Sequence, residues 1–229
     1  MMINNVVEPS CLLLAWQPRN GGSRYLVAQI CKLPSSGYSF KYLLDSDDFK
    51  KAKSKGFEGY PAFKLTNETY TQNVLEPFIR RLPPKSRRDF KNYLAQNLLT
   101  FPFNGSDFTL LAYTGAKSPG DGFSLVPDFT GVEDNIEFQL EVVGTRYENN
   151  LDLEMVRIGD KVELDFEPSN TYDPCAIAIL HTGGRLGYVN KMLCDFIGNK
   201  LKVGNLSAVV SRKNGTADRP LIYLLLSVK

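Results

Sequence analysis

The chain has 229 residues, 43% of them hydrophobic, and a formal net charge of +2. This composition is ordinary for a globular protein with a sizeable core, and it excludes a strongly basic nucleic-acid binder in bulk. No apolar run approaches the roughly 18 residues of a membrane span, and the first ten residues lack the basic start of a signal peptide. We therefore expect a cytoplasmic protein with no membrane partner.

The first half of the chain mixes strands and helices. Three short aromatic-rich runs, 11–16, 24–33 and 38–44, are separated by Gly, Pro and Ser and predict an antiparallel meander. Acidic residues at 47 and 48 favour the start of an exposed helix. Helical spacing follows over 74–82 until two prolines end it, and Ser86 is a candidate N-cap for the next helix. A third helix is predicted at 107–113, and a short strand at 123–127.

Residues 80–91, RRLPPKSRRDFK, contain six basic residues and one acid. One interpretation is a solvated helix face. The other is a contact with an anionic partner, a protein surface or a nucleic-acid backbone. The candidate residues for that contact are Arg80, Arg81, Lys85, Arg87 and Arg88.

The second half has the rhythm of an all-β domain. Closely spaced strand candidates begin near residue 137, and the first continues to residue 147. His181 and the three residues after it predict a hairpin loop. Asn190 is a good N-cap for one helix with an apolar face. Five or six strands with one helix indicate a small closed or partly open barrel.

Residue chemistry favours a binding protein over an enzyme. His181 is the only histidine, and it lies in the predicted hairpin, so no nucleophile has an evident base. The four cysteines, Cys11, Cys31, Cys175 and Cys194, lie far apart without CxxC spacing. We expect buried free thiols, and neither a cofactor nor a metal.

Three segments in order carry a specific resemblance: VVGTRY (142–147), IGDKVELDFEPSNTYDPCAIAI (158–179) and GRLGYVNKML (184–193). Residues 137–229 resemble a HIRAN domain, which implies an OB-like barrel that binds single-stranded DNA and captures its 3′ end. The resemblance implies a basic and an aromatic contact at Arg146 and Tyr147. It also implies a base stacked on Tyr172 and a 3′ hydroxyl bound by Asp173.

The chain departs from this family at Tyr188, where DNA-binding members can carry a histidine, and Lys191 takes the neighbouring basic position. The chemistry is consistent, because a base stacks on any aromatic face and basic side chains neutralise phosphates. Two simpler interpretations stay open. Asp173 could merely close an Asx-type turn with Asn170, and Tyr172 could plug the barrel.

Residues 10–128 resemble, with looser motifs, the N-terminal subdomain of HipA-type toxin kinases. The segments that carry this resemblance are LLLAW, YSFKYL, LPPKSRRDF and DFTLLAYTGAKSPGDGF. No kinase core follows, so kinase activity is not expected. The resemblance implies a docking module for a HipA-like kinase partner, as in split toxin–antitoxin or defence systems.

The sequence therefore predicts two domains: an α+β domain at 1–132 with a small antiparallel sheet, and a mainly-β OB-like barrel with one helix at 133–229. The predicted function is recognition of single-stranded DNA, preferably at a 3′ end. The alternative is a non-catalytic regulatory subunit whose main ligand is a kinase-like protein.

Overall fold

The computed structural model describes residues 1–118, 120–133, 135–216 and 218–229. These residues form two compact units. One contains Glu8–Asn97 and Phe101–Thr130, and the other contains Met1–Val7, Leu98–Thr100 and Gly131–Lys229. No helix in the described ranges is long and apolar enough to cross a membrane.

The first unit is built on a four-stranded antiparallel sheet. Its strands are β1 (Cys11–Trp16), β2 (Tyr25–Lys32), β3 (Tyr38–Tyr42) and β4 (Phe123–Asp128), in the order β3-β2-β1-β4. The predicted meander is therefore correct, and the predicted short strand joins it on the other side of β1. Aromatic side chains fill the core, where the ring of Phe40 stacks on Phe63 with 4.2 Å between centroids.

Four helices accompany this sheet: α1 (Asp47–Ser54), α2 (Glu76–Ile79), α3 (Phe90–Gln96) and α4 (Asp107–Thr114). Ser46 and Ser106 cap α1 and α4, since each hydroxyl accepts a backbone N–H three residues on. The helix predicted over 74–82 is only four residues long. Ser86 is not an N-cap, because it lies in a turn closed by the Arg87 N–H and the Pro84 carbonyl (3.0 Å), and α3 begins after it.

The cysteines correct one expectation. Cys11 on β1 lies directly opposite Cys31 on β2, and the two form a disulfide instead of remaining free thiols. Their spacing of 20 residues carried no signal, because strand pairing alone brings them together. Cys194 is buried, as expected, whereas Cys175 is exposed.

The second unit contains a curled six-stranded antiparallel half-barrel of OB-like fold. Its strands are β5 (Ile136–Glu141), β6 (Lys161–Phe166), β7 (Ile177–His181), β8 (Gly184–Tyr188), β9 (Leu206–Thr216) and β10 (Arg219–Val228). They are ordered β5-β10-β9-β6-β7-β8, and a bridge between Val143 and Tyr188 joins the segment after β5 to β8. The predicted α+β and OB-like classes are both correct.

One helix interrupts the barrel strands. The Asn190 side chain accepts the backbone N–H of Met192 (3.2 Å) and so caps a 3-10 turn, Lys191–Leu193, that leads into α5 (Cys194–Lys202). Ile197 is fully buried on the inner face of α5. The predicted cap and helix are therefore correct.

Candidate nucleic-acid interface

The segment between β6 and β7, residues 167–175, forms a loop that we call the elbow, and side-chain hydrogen bonds hold its backbone. The side-chain oxygen Oδ1 of Asn170 accepts the backbone N–H groups of Tyr172 (2.9 Å) and Asp173 (3.1 Å). Oδ1 of Asp173 in turn accepts the N–H of Cys175 (2.9 Å). Asn170 and Asp173 thus close consecutive Asx-type turns, as one of the simpler interpretations proposed.

The side chains of Tyr172 and Asp173 differ in how much of each these turns leave available to a ligand. The ring of Tyr172 is 97% exposed, so it is not a barrel plug. Asp173 is half-buried, and one of its carboxylate oxygens closes the turn. Its other oxygen, Oδ2, accepts no hydrogen bond from the described part of the chain. The elbow therefore presents one aromatic ring and one carboxylate oxygen.

A group of polar side chains, which we call the carboxylate network, ties the elbow to β8. Glu167 accepts hydrogen bonds from the Asn170 amide (2.7 Å), the Tyr188 hydroxyl (2.7 Å) and the Arg185 guanidinium (2.9 Å). Arg185 also bridges to both oxygens of Glu148 at 3.0 Å. Because Asn170 also holds the Tyr172 and Asp173 amides, the network fixes the elbow against Tyr188.

The pKa values of the network follow from these bonds. Hydrogen bonds from Asn170 and Tyr188 hold the pKa of the Glu167 carboxyl below its ordinary value. Partial burial raises the pKa of Tyr188, and its bond to Glu167 adds to this shift. The hydrogen bond with Glu148 raises the pKa of Arg185. At neutral pH Glu167 is therefore ionised and Arg185 protonated, and the hydrogen bond between them is charge-assisted.

The segment after β5 differs from the sequence prediction. The strand expected to reach residue 147 ends at Glu141, and Thr145–Tyr147 form a 3-10 turn after Gly144, whose φ is 88°. Glycine suits this position, since other residues rarely adopt such a φ. The turn projects Tyr147, which is 65% exposed, with the Arg146 guanidinium 4.6 Å from its ring centre.

This turn lies against β8. A Cβ at Gly144 would be 3.7 Å from the Tyr188 ring, and Val143 is bridged to Tyr188. The Arg185 guanidinium lies 4.9 Å from the centre of the same ring. Tyr188 is thus in contact with two segments of the site through its ring and its hydroxyl, which is the geometry of a positioning residue.

Cys194, the first residue of α5, interacts electrostatically with the elbow. Burial raises the pKa of the Cys194 thiol to about 12, and the negative charge of Asp173 contributes to the shift. Lys191 is exposed three residues before Cys194. Phe196 packs against Phe138, with 6.1 Å between ring centroids, and so contributes to the core.

The structure thus brings together the three predicted segments around Tyr188 and the elbow. Reasoning from the sequence did not identify Arg185, Glu148 or Glu167, and it treated Asn170 only as a turn residue. The Arg185–Glu148 pair is separated by 37 residues, and that spacing alone carries no signal.

The basic stretch of the first unit, residues 80–91, presents less unpaired positive charge than its composition indicates. Its ion pairs join Arg80 to Glu76, Lys85 to Asp107 (2.7 Å) and Arg87 to Asp89 (2.6 Å). The Arg81 side chain is only 10% exposed, and its guanidinium binds the carboxylate of Asp121 and the carbonyls of Ala116 and Phe123. Arg88 is exposed and has no ion pair with any described residue.

Two further groups bear on chemistry. The His181 ring is enclosed: Nε2 lies 3.0 Å from an Asp160 oxygen, and Nδ1 accepts the Gly183 N–H (2.9 Å). Both nitrogens of the single histidine are therefore engaged. Across the four described ranges, no group of three or more His, Cys, Asp or Glu residues is placed to hold a metal ion.

Comparison with known proteins agrees with this arrangement. Residues 136–228 match the family model described as "HIRAN domain". This segment is a HIRAN domain. The match covers the whole strand series β5–β10, and therefore all six predicted contact residues of the HIRAN domain.

Two solved structures are similar to part of the chain. The crystal structure of the HIRAN domain of human HLTF is 23% identical, covering 41% of this chain and 77% of that one with a TM-score of 0.31. A protein from Lactobacillus plantarum is 26% identical, covering 39% and 91% with a TM-score of 0.33. No protein with a curated description matches the chain.

Proposed function

We propose that the HIRAN domain of this protein binds single-stranded DNA without catalysing a reaction, and that it prefers a free 3′ end. We also propose that the protein acts in the cytoplasm. The observation that carries the proposal is the Tyr172 ring, 97% exposed on a backbone held by Asn170. An exposed ring offers a stacking surface to any base, and the backbone that carries it loses little conformational entropy when a base binds, because Asn170 already holds it. Tyr147 and Arg146 supply a second ring and a cation for a phosphate.

Asp173 accounts for the preference for an end. The turn hydrogen bond uses only its Oδ1, so Oδ2 can accept a hydrogen bond from a terminal 3′ hydroxyl. A 3′ phosphate carries negative charge and would be repelled by the carboxylate. A continuing strand offers no hydroxyl donor at this position. The same carboxylate that disfavours a general polyanion therefore selects the end of one.

The test compares two oligothymidines labelled at the 5′ end, one with a 3′ hydroxyl and one with a 3′ phosphate. Fluorescence anisotropy should show tighter binding of the hydroxyl form. Asp173→Asn should bind both forms with nearly equal affinity, because the amide keeps the size but loses the charge. Glu163→Gln is the matched control, since Glu163 is an exposed acid on β6 that belongs neither to the elbow nor to the carboxylate network. Equal binding of both oligonucleotides by the unaltered protein would reject end recognition.

The alternative function is a regulatory subunit that docks on a HipA-like kinase partner through the basic stretch. In that case charge reversal around Arg80–Arg88 would break a protein complex and leave DNA binding intact. The ion pairs of Arg80, Lys85 and Arg87, and the burial of Arg81, leave two exposed cations of this stretch, Arg88 and Lys91, without an ion pair to any described residue. The DNA-binding function is therefore the one that the geometry favours.

A further inference from the structure

The 3-10 turn and helix α5, residues 191–202, concentrate positive charge in an otherwise acidic segment. Residues 136–229 contain 11 basic and 12 acidic residues. Three of these basic residues and one of these acidic residues lie in 191–202. The remainder, eight basic and eleven acidic residues, is therefore net negative. A polyanion that approaches this unit is attracted to the helix rather than to the barrel as a whole.

Lysines on this helix are paired with aromatic rings. The Nζ atom of Lys202 lies 5.7 Å from the ring centre of Phe166, and that of Lys200 lies 5.8 Å from the ring centre of Phe196. Phe166 is 38% exposed although it is a large apolar side chain. Alternating cations and aromatic faces are typical of grooves that bind single strands without sequence preference.

The position of Phe166 connects this surface to the elbow. Phe166 is the last residue of β6 and directly precedes Glu167, where the elbow begins. Its ring rests on α5 at Gly198, where a Cβ would lie 3.1 Å from the ring atom Cε1. The absence of a side chain at Gly198 thus lets the ring lie against the helix, next to its lysines.

We propose that Phe166, Lys200 and Lys202, which we call the α5 face, bind the nucleotides on the 5′ side of the strand end held at the elbow. This inference rests on the proposed function, which supplies the strand end. OB-type folds contact about 4–16 nucleotides, more than the elbow and Tyr147 can contact alone. A base that stacks on Phe166 displaces the ammonium of Lys202, and the accompanying phosphate then becomes the partner of that ammonium.

The test measures how affinity depends on oligonucleotide length. A thymidine tetramer and a dodecamer, both with a 3′ hydroxyl, are compared by anisotropy with the unaltered protein and with Lys200→Glu, Lys202→Glu and Phe166→Leu. Lys161→Glu is the matched control. Lys161 is exposed at the opposite end of β6, about 17 Å from Phe166 at about 3.3 Å per residue. Phe166→Leu keeps an apolar side chain on Gly198 but removes the stacking face.

The unaltered protein should bind the dodecamer about tenfold or more tightly than the tetramer, from added stacking and phosphate contacts. Each α5-face variant should lose most of this gain while its tetramer affinity and its preference for a 3′ hydroxyl persist. The two lysine variants should also reduce the slope of log affinity against log salt by about 0.7.

Four results would overturn the inference. If the α5-face variants keep the full length gain, or if Lys161→Glu loses as much as they do, the strand does not follow α5. If the unaltered protein binds the tetramer with end preference but gains nothing with length, the proposed function stands and the α5 face is wrong. If it binds neither oligonucleotide, the proposed function fails and the inference fails with it.

Discussion

Replacement of Tyr172 by alanine separates binding from folding more cleanly than any other change in this protein. The side chain is 97% exposed, and only its backbone N–H is used, by Asn170. Loss of the ring therefore removes no buried area and no hydrogen bond, and the free energy of unfolding should change by less than about 0.5 kcal/mol. Base stacking on an aromatic side chain contributes about 1–3 kcal/mol per base. The dissociation constant for DNA should therefore rise about 5- to 150-fold.

The assay has two readouts on the same protein samples. Urea unfolding gives the stability, and anisotropy with a 3′-hydroxyl oligothymidine gives the dissociation constant. Tyr172→Phe should retain the affinity, because the ring rather than the hydroxyl makes the contact. Ile158→Ala is a control for loss of an exposed apolar side chain, since Ile158 is 65% exposed in the loop before β6. If Tyr172→Ala keeps its DNA affinity within twofold, about 0.4 kcal/mol, the stacking argument is refuted.

Three other predictions concern the scaffold. Arg81→Met should lower the free energy of unfolding, measured by urea titration, by about 2 kcal/mol, because it leaves the partly buried carboxylate of Asp121 unpaired. The matched control, Arg80→Met at the exposed end of α2, should change the free energy of unfolding by less than about 0.5 kcal/mol. The disulfide between β1 and β2 closes a loop of 20 residues, so its reduction should lower the free energy of unfolding by about 3 kcal/mol. Thiol titration of the oxidised, unfolded chain should find two free cysteines. Four free cysteines would contradict the pairing. The pKa of Glu167 in the folded protein lies below the ordinary value of 4.5, so the stabilisation by this carboxylate is present above pH 4.5 and is lost as the pH falls below it. Glu167→Gln should therefore flatten the loss of stability between about pH 6 and pH 3. An unchanged pH profile of stability would contradict the network.

Local pattern was sufficient for most secondary-structure elements. The apolar runs at 11–16 and 184–188 are strands, and Asn190 is the N-cap that its residue type indicates. The errors came where backbone geometry outweighed pattern. Gly144, with a φ of 88°, ends the strand expected to reach residue 147, and the turn at Pro84 delays α3 past Ser86. Periodicity reports which residues are apolar, but not where a turn closes.

The candidate site was predictable in part, for a related reason. Tyr147, Tyr172 and Asp173 were identifiable because each stands in a motif of adjacent residues. Arg185 and Glu148 were not, because what defines them is a contact across 37 residues. The Cys11–Cys31 disulfide was missed for the same reason: only the register of β1 and β2 places the two side chains opposite each other.

The sequence by itself determined the fold class, the order of the HIRAN motifs and the residue types of the proposed DNA contacts, since these depend on neighbours along the chain. Only the tertiary structure decided which side chains are available. It turned Tyr172 outward, engaged Tyr188 with Glu167 and Arg185, and paired or buried most cations of the basic stretch. Availability depends on desolvation and on partners far apart in sequence, and these exist only once the chain has folded.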